Sequence, residues 1–341
     1  MEEIVYYYPQ GHEKHFQSGH PERPERVETI VKALREKGLW DGYPKVEPRP
    51  LSPEEISGVH SISYLKELEG ACRYGESLDM DTYTTPYSWE LATRTAGGAV
   101  SVAEAVWKRE AKRGFALTRP PGHHATSKRG MGFCLLNNVA VAAQWLVQHL
   151  GVQRIAILDF DLHHGNGTQE IFWTRSDVFF LSTHQSPLYP GSGYLDEIGY
   201  GEGRGYTANF PLPPGSGDQA FSSLLQEVII PLLDRYQPQM LLLSYGFDPH
   251  WRDPLGHLQL SAKQYGEMIR LLSRWCDAHC EGRIALFLEG GYDLEAAKAC
   301  TLAVVNALLG QPFEDPLGPS PREEGRSWVR VLEQAKQLWQ L

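Results

Sequence analysis

The segment Arg154–Thr168, RIAILDFDLHHGNGT, constrains the fold more than any other part of the chain. Ile155, Ala156, Ile157 and Leu158 form an unbroken apolar run, the pattern of a buried strand. Asp159, Asp161 and His163 follow, and then a glycine-rich turn. Carboxylates buried beside a strand are costly unless a positive group compensates them. A divalent metal does so directly, because two oxygen donors and an imidazole stand within five residues. A strand-to-helix turn with capping aspartates is the plainer alternative.

Short apolar runs alternate with helical patterns along most of the chain. Candidate strands are Ile4–Tyr8, Phe115–Thr118, Arg154–Phe160, Val178–Ser182, Met240–Ser244 and Arg283–Leu288. Helical segments lie near 89–112, 136–149, 219–235, 261–279 and 294–309. This order implies βαβ units and an α/β fold, with a mostly parallel central sheet flanked by helices. Loops rich in glycine and proline fall at 119–132, 186–217 and 249–257. With no internal repeat or low-complexity linker, residues 1–341 read as a single domain. A tail from about 311, rich in proline and charge as far as Arg326, is expected to wrap the surface.

Composition narrows the function classes. Hydrophobic residues make up 42% and charged residues 22%, which suits a sizeable core and argues against disorder. A net charge of −10 argues against direct nucleic-acid binding. The opening MEEIVYYYP lacks the basic segment and apolar core of a signal peptide, and no apolar run is long enough to span a membrane. Cys72, Cys134, Cys276, Cys280 and Cys300 form no CxxC pair. Their odd number and scatter fit a reducing, cytoplasmic setting. Cys276 and Cys280, with His279 between them, read as part of an ordinary helix because no second ligand cluster matches them.

The strand ends share one property. RPPGHHA follows Phe115–Thr118, and Asp159, Asp161 and His163 follow Arg154–Leu158. Ser182, Thr183 and His184 follow Val178–Leu181, SYGFDPH with Asp248 follows Met240–Leu243, and EGGYD with Tyr292 follows Arg283–Leu288. Ligands bind at the carboxyl ends of strands in open parallel sheets. Five polar clusters at one edge point to one shared active site.

These segments, together with HPERPERV at 20–27 and GFCLLNN at 132–138, resemble the zinc-dependent histone deacetylase superfamily. That group includes acetylpolyamine amidohydrolases and acetoin-utilisation proteins. The resemblance runs from about Tyr6 to about Leu309 and implies the arginase/deacetylase fold. It implies a zinc ion held by Asp161, His163 and Asp248, with an open position for water and substrate. By sequence alone His164 competes with His163; the family pattern and side-chain alternation along an extended chain favour His163.

The resemblance pairs His123 with Asp159 and His124 with Asn166, where many members carry aspartate. An asparagine cannot stabilise an imidazolium as a carboxylate can, so His123 is expected to be the more basic. Which histidine is base and which acid stays open. Tyr292, after a Gly-Gly pair, is implied to hydrogen-bond the substrate carbonyl and steady the oxyanion. Phe133 and Tyr189 match the aromatics lining a narrow channel, and the Gly132 carbonyl matches an acceptor for the substrate amide. Leu255 falls where polyamine deacetylases can carry a glutamate, so leucine favours acyl-lysine-like or uncharged substrates. Asp81 matches a rim aspartate that holds a peptide backbone, with turn capping as its alternative.

Potassium is implied at Asp159, at the carbonyls of Asp161, His163 and Thr183, and at Ser182. A second monovalent site is implied at carbonyls around Phe172, Arg175 and Val178. Arg26 matches an internal arginine associated with acetate departure. His12, His15 and His20 read as surface or structural residues of a polar loop, since no carboxylate pattern joins them.

The expected activity is zinc-dependent hydrolysis of an N-acyl amine. The expected substrate is acetyl-lysine in a peptide or protein, with a small acylated amine such as an acetylpolyamine as the alternative. Ferrous iron or cobalt also suits an Asp-His-Asp set. A binuclear-manganese ureohydrolase and a non-catalytic acyl-lysine binder are the rival readings. An oligomer is compatible with the sequence.

Overall fold

Seven strands form one parallel sheet in the order β1-β2-β7-β6-β3-β4-β5 in the computed structural model, which describes residues 1–341. The strands are β1 (Glu2–Tyr7), β2 (Ala111–Ala116), β3 (Ile155–Asp159), β4 (Val178–Gln185), β5 (Thr207–Leu212), β6 (Met240–Tyr245) and β7 (Ile284–Leu288). The helices before β3 are α1 (Glu25–Glu36), α2 (Pro53–Ile56), α3 (Ile62–Tyr74), α4 (Ser88–Trp107) and α5 (Asn138–Leu150). After β3 come α6 (Asn166–Phe172), α7 (Asp218–Leu224), α8 (Ile230–Tyr236), α9 (Ala262–His279), α10 (Leu294–Leu308) and α11 (Trp328–Trp339). A π-helical turn, Leu225–Ile229, joins α7 to α8.

Both faces of the sheet are covered, and strand alternation divides the core in two. Ala156, Leu158, Leu241 and Leu243 point to the side holding α1, α9 and α10. Ile155, Ile157, Met240 and Leu242 point to the side holding α3, α4 and α5. The central strands therefore read as continuous apolar runs, as parallel strands covered on both faces do. Helix α9 shows the matching helical logic. Tyr265, Met268, Ile269, Leu272 and Cys276 recur at helical spacing and are buried, and the Ser261 hydroxyl caps the start by accepting from the Gln264 N–H at 3.1 Å.

Three sequence expectations are corrected. The helix expected near 89–112 ends at Trp107, and strand β2 already runs from Ala111. The strand expected at Phe115–Thr118 thus starts earlier, its first half hidden by charge: Arg113 is buried because its guanidinium reaches Asp277 at 2.7 Å and the Gly282 carbonyl. The loop expected at 186–217 contains edge strand β5, whose Asn209 and Pro211 weaken the strand pattern. His12 and His15, read as surface or structural, are buried and so take the structural alternative, and a carboxylate does join one of them: His15 Nε2 lies 3.7 Å from Glu22. Helices α1, α2, α3, α6 and α11 were not expected from the sequence.

The cysteines are free and buried, and Cys276 and Cys280 sit at the end of α9. Residues 311–326 form no helix or strand; there the Glu324 carboxylate caps α7 by accepting from the Gly217, Gln219 and Ala220 N–H groups at 2.9 Å each. No helix is long and apolar enough to cross a membrane.

Candidate active site

Loops at the carboxyl ends of β2, β3, β4, β6 and β7 converge above the middle of the sheet. Strands β3 and β6 are neighbours, with Asp159 opposite Ser244. That pairing brings Asp161 and His163 beside Asp248, although 85 residues separate His163 from Asp248 in sequence (248 − 163). One ligand atom from each of the three lies within 4.8 Å of the others.

The Asp161 carboxylate accepts from the Gly290 N–H at 2.8 Å and the His163 N–H at 2.9 Å, and Asp248 Oδ1 accepts from the Leu162 N–H at 3.1 Å. Asp248 Oδ2 is buried and has no hydrogen-bond partner, though His163 Nδ1 stands 3.2 Å away. His163 Nδ1 is also 3.2 Å from Asp161 Oδ1. Burial, and then the Asp161 charge, push Asp248 up to about 7. Burial opposes the His163 cation, but the Asp161 and Asp248 carboxylates raise it to about 9. Two buried carboxylates with one unpartnered oxygen and an imidazole nitrogen aimed between them fit a divalent cation.

Two glycines make room for this cluster. A Cβ on Gly246 would stand 2.0 Å from Asp161 Oδ2, and one on Gly290 would stand 2.3 Å from Asp248 Oδ2. Any side chain at either position must displace a carboxylate.

His123 and His124 lie beside the triad, with ring centres 4.0 Å apart. His123 Nδ1 is 3.0 Å from Asp159 Oδ2, and His124 Nδ1 is 2.7 Å from Asn166 Oδ1. Burial disfavours the cation in both. At His123 the carboxylates of Asp159, Asp161 and Glu289 outweigh it and hold the imidazole well above its usual range. At His124 burial and the neighbouring His123 and His163 push the imidazole well below it.

Glu289 was missed in the sequence, although it opens the EGGYD segment. Its buried carboxylate accepts from the Gly122 and His123 N–H groups at 2.7 and 3.2 Å and from the Ser244 hydroxyl at 2.9 Å. It therefore ties the histidine loop to β6 and β7, and burial raises it to about 7.

Tyr292 is buried, and its N–H donates to Asp253 Oδ2 at 2.6 Å. Asp253 Oδ1 accepts from the Leu255 N–H at 3.0 Å, so one carboxylate joins the tyrosine loop to the Leu255 loop. The Phe133 ring meets Tyr292 edge-on at 5.8 Å, and Tyr189 meets His124 edge-on at 5.1 Å. Gly132 lies between them, where a Cβ would stand 2.5 Å from the His124 ring and 3.0 Å from Tyr189. The Gly132 carbonyl accepts from the Cys134 thiol at 3.3 Å.

His20 was read as a surface or structural residue. Its ring packs edge-on against Phe133 at 4.7 Å, and its Nε2 meets the Asp81 carbonyl at 3.0 Å. It thus extends the wall that carries Phe133. Asp81 itself is exposed, and Leu255 is half-buried.

The residues expected at a monovalent site also come together beneath the triad. Asp159 pairs with Ser182 across β3 and β4, the Ser182 hydroxyl meets His184 Nδ1 at 2.9 Å, and Thr183 Oγ1 reaches the Asp159 carbonyl at 3.5 Å. His164 turns away from the triad toward Ser192 and Gln169, at 2.8 and 3.0 Å.

Comparison with known proteins places this arrangement. The family model for the histone deacetylase domain matches residues 20–308. The chain belongs to the histone deacetylase family. It is 44% identical to a "Probable deacetylase" of Archaeoglobus fulgidus, over 87% of this chain and 84% of that one. It is 36% identical to a "Histone deacetylase-like amidohydrolase" of Pseudomonas aeruginosa, over 88% of this chain and 80% of that one. The crystal structure of the HDA15 HD domain superposes with a TM-score of 0.90 at 31% identity, covering 99% of this chain and 94% of that one. The fold is thus the α/β arginase/deacetylase type, and the family supports a deacetylase activity on an acetylated substrate.

Proposed function

We propose that this histone deacetylase family member is a zinc-dependent amidohydrolase that removes an acetyl group from N-acetyl-lysine in a peptide or protein. One observation carries the reading: Asp161, His163 and Asp248 cluster around an unpartnered buried carboxylate oxygen, directly beside two histidines and a buried tyrosine. A zinc ion held by those three residues supplies Lewis-acid polarisation of the amide carbonyl and of a water molecule.

The chain's own groups account for the remaining steps. A neutral imidazole of the His123–His124 pair takes the proton from the attacking water, and a protonated one delivers a proton to the leaving amine. Tyr292 donates a hydrogen bond from its phenol to the oxyanion as the tetrahedral intermediate forms. Phe133 and Tyr189 exclude water from a slot suited to an apolar lysine stem, and the Gly132 carbonyl accepts from the substrate amide. Asp81 at the rim accepts from the peptide backbone. Leucine at 255 offers no charge to a distant ammonium, which favours the peptide over an acetylpolyamine. Asp159, Ser182 and the nearby carbonyls hold a potassium ion.

The test is turnover by zinc-loaded protein on an acetyl-lysine peptide, acetylputrescine and acetylspermidine, with Tyr292→Phe as the control. The peptide is expected to be the preferred substrate. Tyr292→Phe is expected to lower kcat by about 10²- to 10³-fold at unchanged metal content. Near-normal kcat in that variant removes the role given to the phenol, and preference for the polyamines moves the substrate to small amines.

A further inference from the structure

One buried carboxylate joins the two loops that carry the histidine pair and the tyrosine. Glu22 is fully buried. Its Oε1 accepts from Arg119 Nε at 2.7 Å and from Arg26 Nη1 at 3.2 Å. Its Oε2 accepts from Arg119 Nη2 at 3.1 Å and from the Tyr83 hydroxyl at 3.3 Å. Glu22 is the only carboxylate within 4.0 Å of either guanidinium.

Each arginine leads to a different loop. Arg119 opens the loop that ends in His123 and His124, and its remaining N–H groups hold the carbonyls of His12 and His15. Arg26 donates through Nε to the Gly291 carbonyl at 2.7 Å and through Nη2 to the Glu289 carbonyl. Its guanidinium lies 4.9 Å from the centre of the Tyr292 ring. The carbonyls that Arg26 grips thus flank Gly290 in the turn leading to Tyr292.

A buried ion cluster of this kind is a poor source of stability, because apolar residues of the same volume serve a core as well or better. What apolar residues lack is direction. Charge-assisted bonds fix the angle and distance of both guanidiniums at once.

We propose that Glu22 is a positioning residue: acting through Arg119 and Arg26, it sets the placement of the His123–His124 pair relative to the Tyr292 phenol. The inference rests on the amidohydrolase reading, in which those groups act on one transition state from different loops. Glu22 itself touches no substrate.

Glu22→Asp keeps the charge but withdraws the carboxylate by one methylene, so it cannot reach both arginines. Wild type, Glu22→Asp, Tyr292→Phe and the double variant are compared for kcat, KM, metal content and melting temperature. In parallel, 3-fluorotyrosine is placed at position 292 and its 19F resonance recorded with and without Glu22→Asp. A displacement of about 1 Å costs on the order of 10²-fold in rate, so kcat is expected to fall by about 10- to 100-fold. KM should stay within about twofold and metal content should not change. The 19F line should shift, broaden or split, and the effect of Glu22→Asp should shrink in the Tyr292→Phe background.

A normal kcat, or an equal loss in both backgrounds with an unmoved 19F line, makes Glu22 a structural ion-pair member and overturns the proposal. A wild type that turns over no acyl amine, with a 19F line that still moves in Glu22→Asp, overturns the amidohydrolase reading and leaves the positioning intact. If Glu22→Asp does not fold, Arg119→Lys keeps the charge, loses the two-pronged grip and is judged by the same readouts.

Discussion

His123 and Asp159 form a buried imidazole–carboxylate pair, Nδ1 to Oδ2 at 3.0 Å, next to a second imidazole that has only an amide partner. Two adjacent histidines are thereby biased in opposite directions, His123 toward the charged form and His124 toward the neutral one. Asp159→Asn removes the largest of the three carboxylate contributions to that bias, leaving Asp161 and Glu289. It is expected to lower kcat by about 10²-fold or more while the protein still folds. Steady-state kinetics alongside a melting curve check this, and a kcat close to wild type contradicts it.

Gly246 faces the metal-ligand candidates so closely that a methyl group cannot be added without moving Asp161, whose Oδ2 would lie 2.0 Å from the new Cβ. Gly246→Ala should therefore retain the fold and lose bound metal. Elemental analysis after dialysis against zinc reads the outcome. Chelation of the wild-type ion should likewise abolish turnover and lower the melting temperature, since a ligand that binds only the folded state stabilises it. Full zinc occupancy in Gly246→Ala contradicts the assignment.

Acid should weaken the fold in two windows. Burial holds His12 and His60 at about 4 and His15 at about 3, below the ordinary 6.5. The unfolded chain therefore binds these protons first, and stability falls as pH drops from 6.5 toward those values. Glu22 behaves as a depressed carboxylate. Burial opposes its ionisation, but Arg119 and Arg26 outweigh it and hold the carboxyl at about 2, against an ordinary 4.5. Its pH-dependent contribution is present above 4.5 and lost as pH falls toward 2. Urea-unfolding free energies across the pH range measure both windows, and a value near pH 4 equal to that near pH 7 excludes the neutral buried histidines.

Leu255 tests the substrate class. Its loop is bound to the Tyr292 loop through Asp253, so a new charge at 255 stands close to the site without altering the groups that do the chemistry. Leu255→Glu should raise turnover of acetylspermidine relative to the peptide. The ratio of kcat/KM for the two substrates is the measurement. An unchanged ratio shows that position 255 does not read the substrate's distant charge.

Much of the site was legible before folding because chemistry concentrates in short segments. RPPGHHA, DFDLHHGNGT, GFDPH and EGGYD each follow an apolar run, and parallel strands carry such segments to one edge. Edge strand β5 escaped notice because one-sided pairing tolerates Asn209 and Pro211, and only the later part of β2 was expected because Asp277 neutralises the buried Arg113 of its first half. The apolar periodicity of β3, β6 and β7 was enough to place them in a parallel α/β sheet.

By itself, the sequence determined the strand–helix alternation, the polar strand ends and the kinds of side chain at the site, since each depends on residues near one another in the chain. The family resemblance implied the Asp161, His163 and Asp248 grouping, but only the tertiary structure supplies the physical means by which distant side chains meet, and it alone added Glu289 and Glu22. Strand order made Asp161 and His163 neighbours of Asp248, set Glu289 beneath the histidine loop, and buried Glu22 between Arg26 and Arg119. Apart from Glu22 with Arg26, which stands four residues on, such contacts bridge dozens to hundreds of residues, and no local pattern carries them. The choice between surface and structural roles for His12, His15 and His20 was settled the same way, as interior and wall: burial depends on what the rest of the chain lays over a residue.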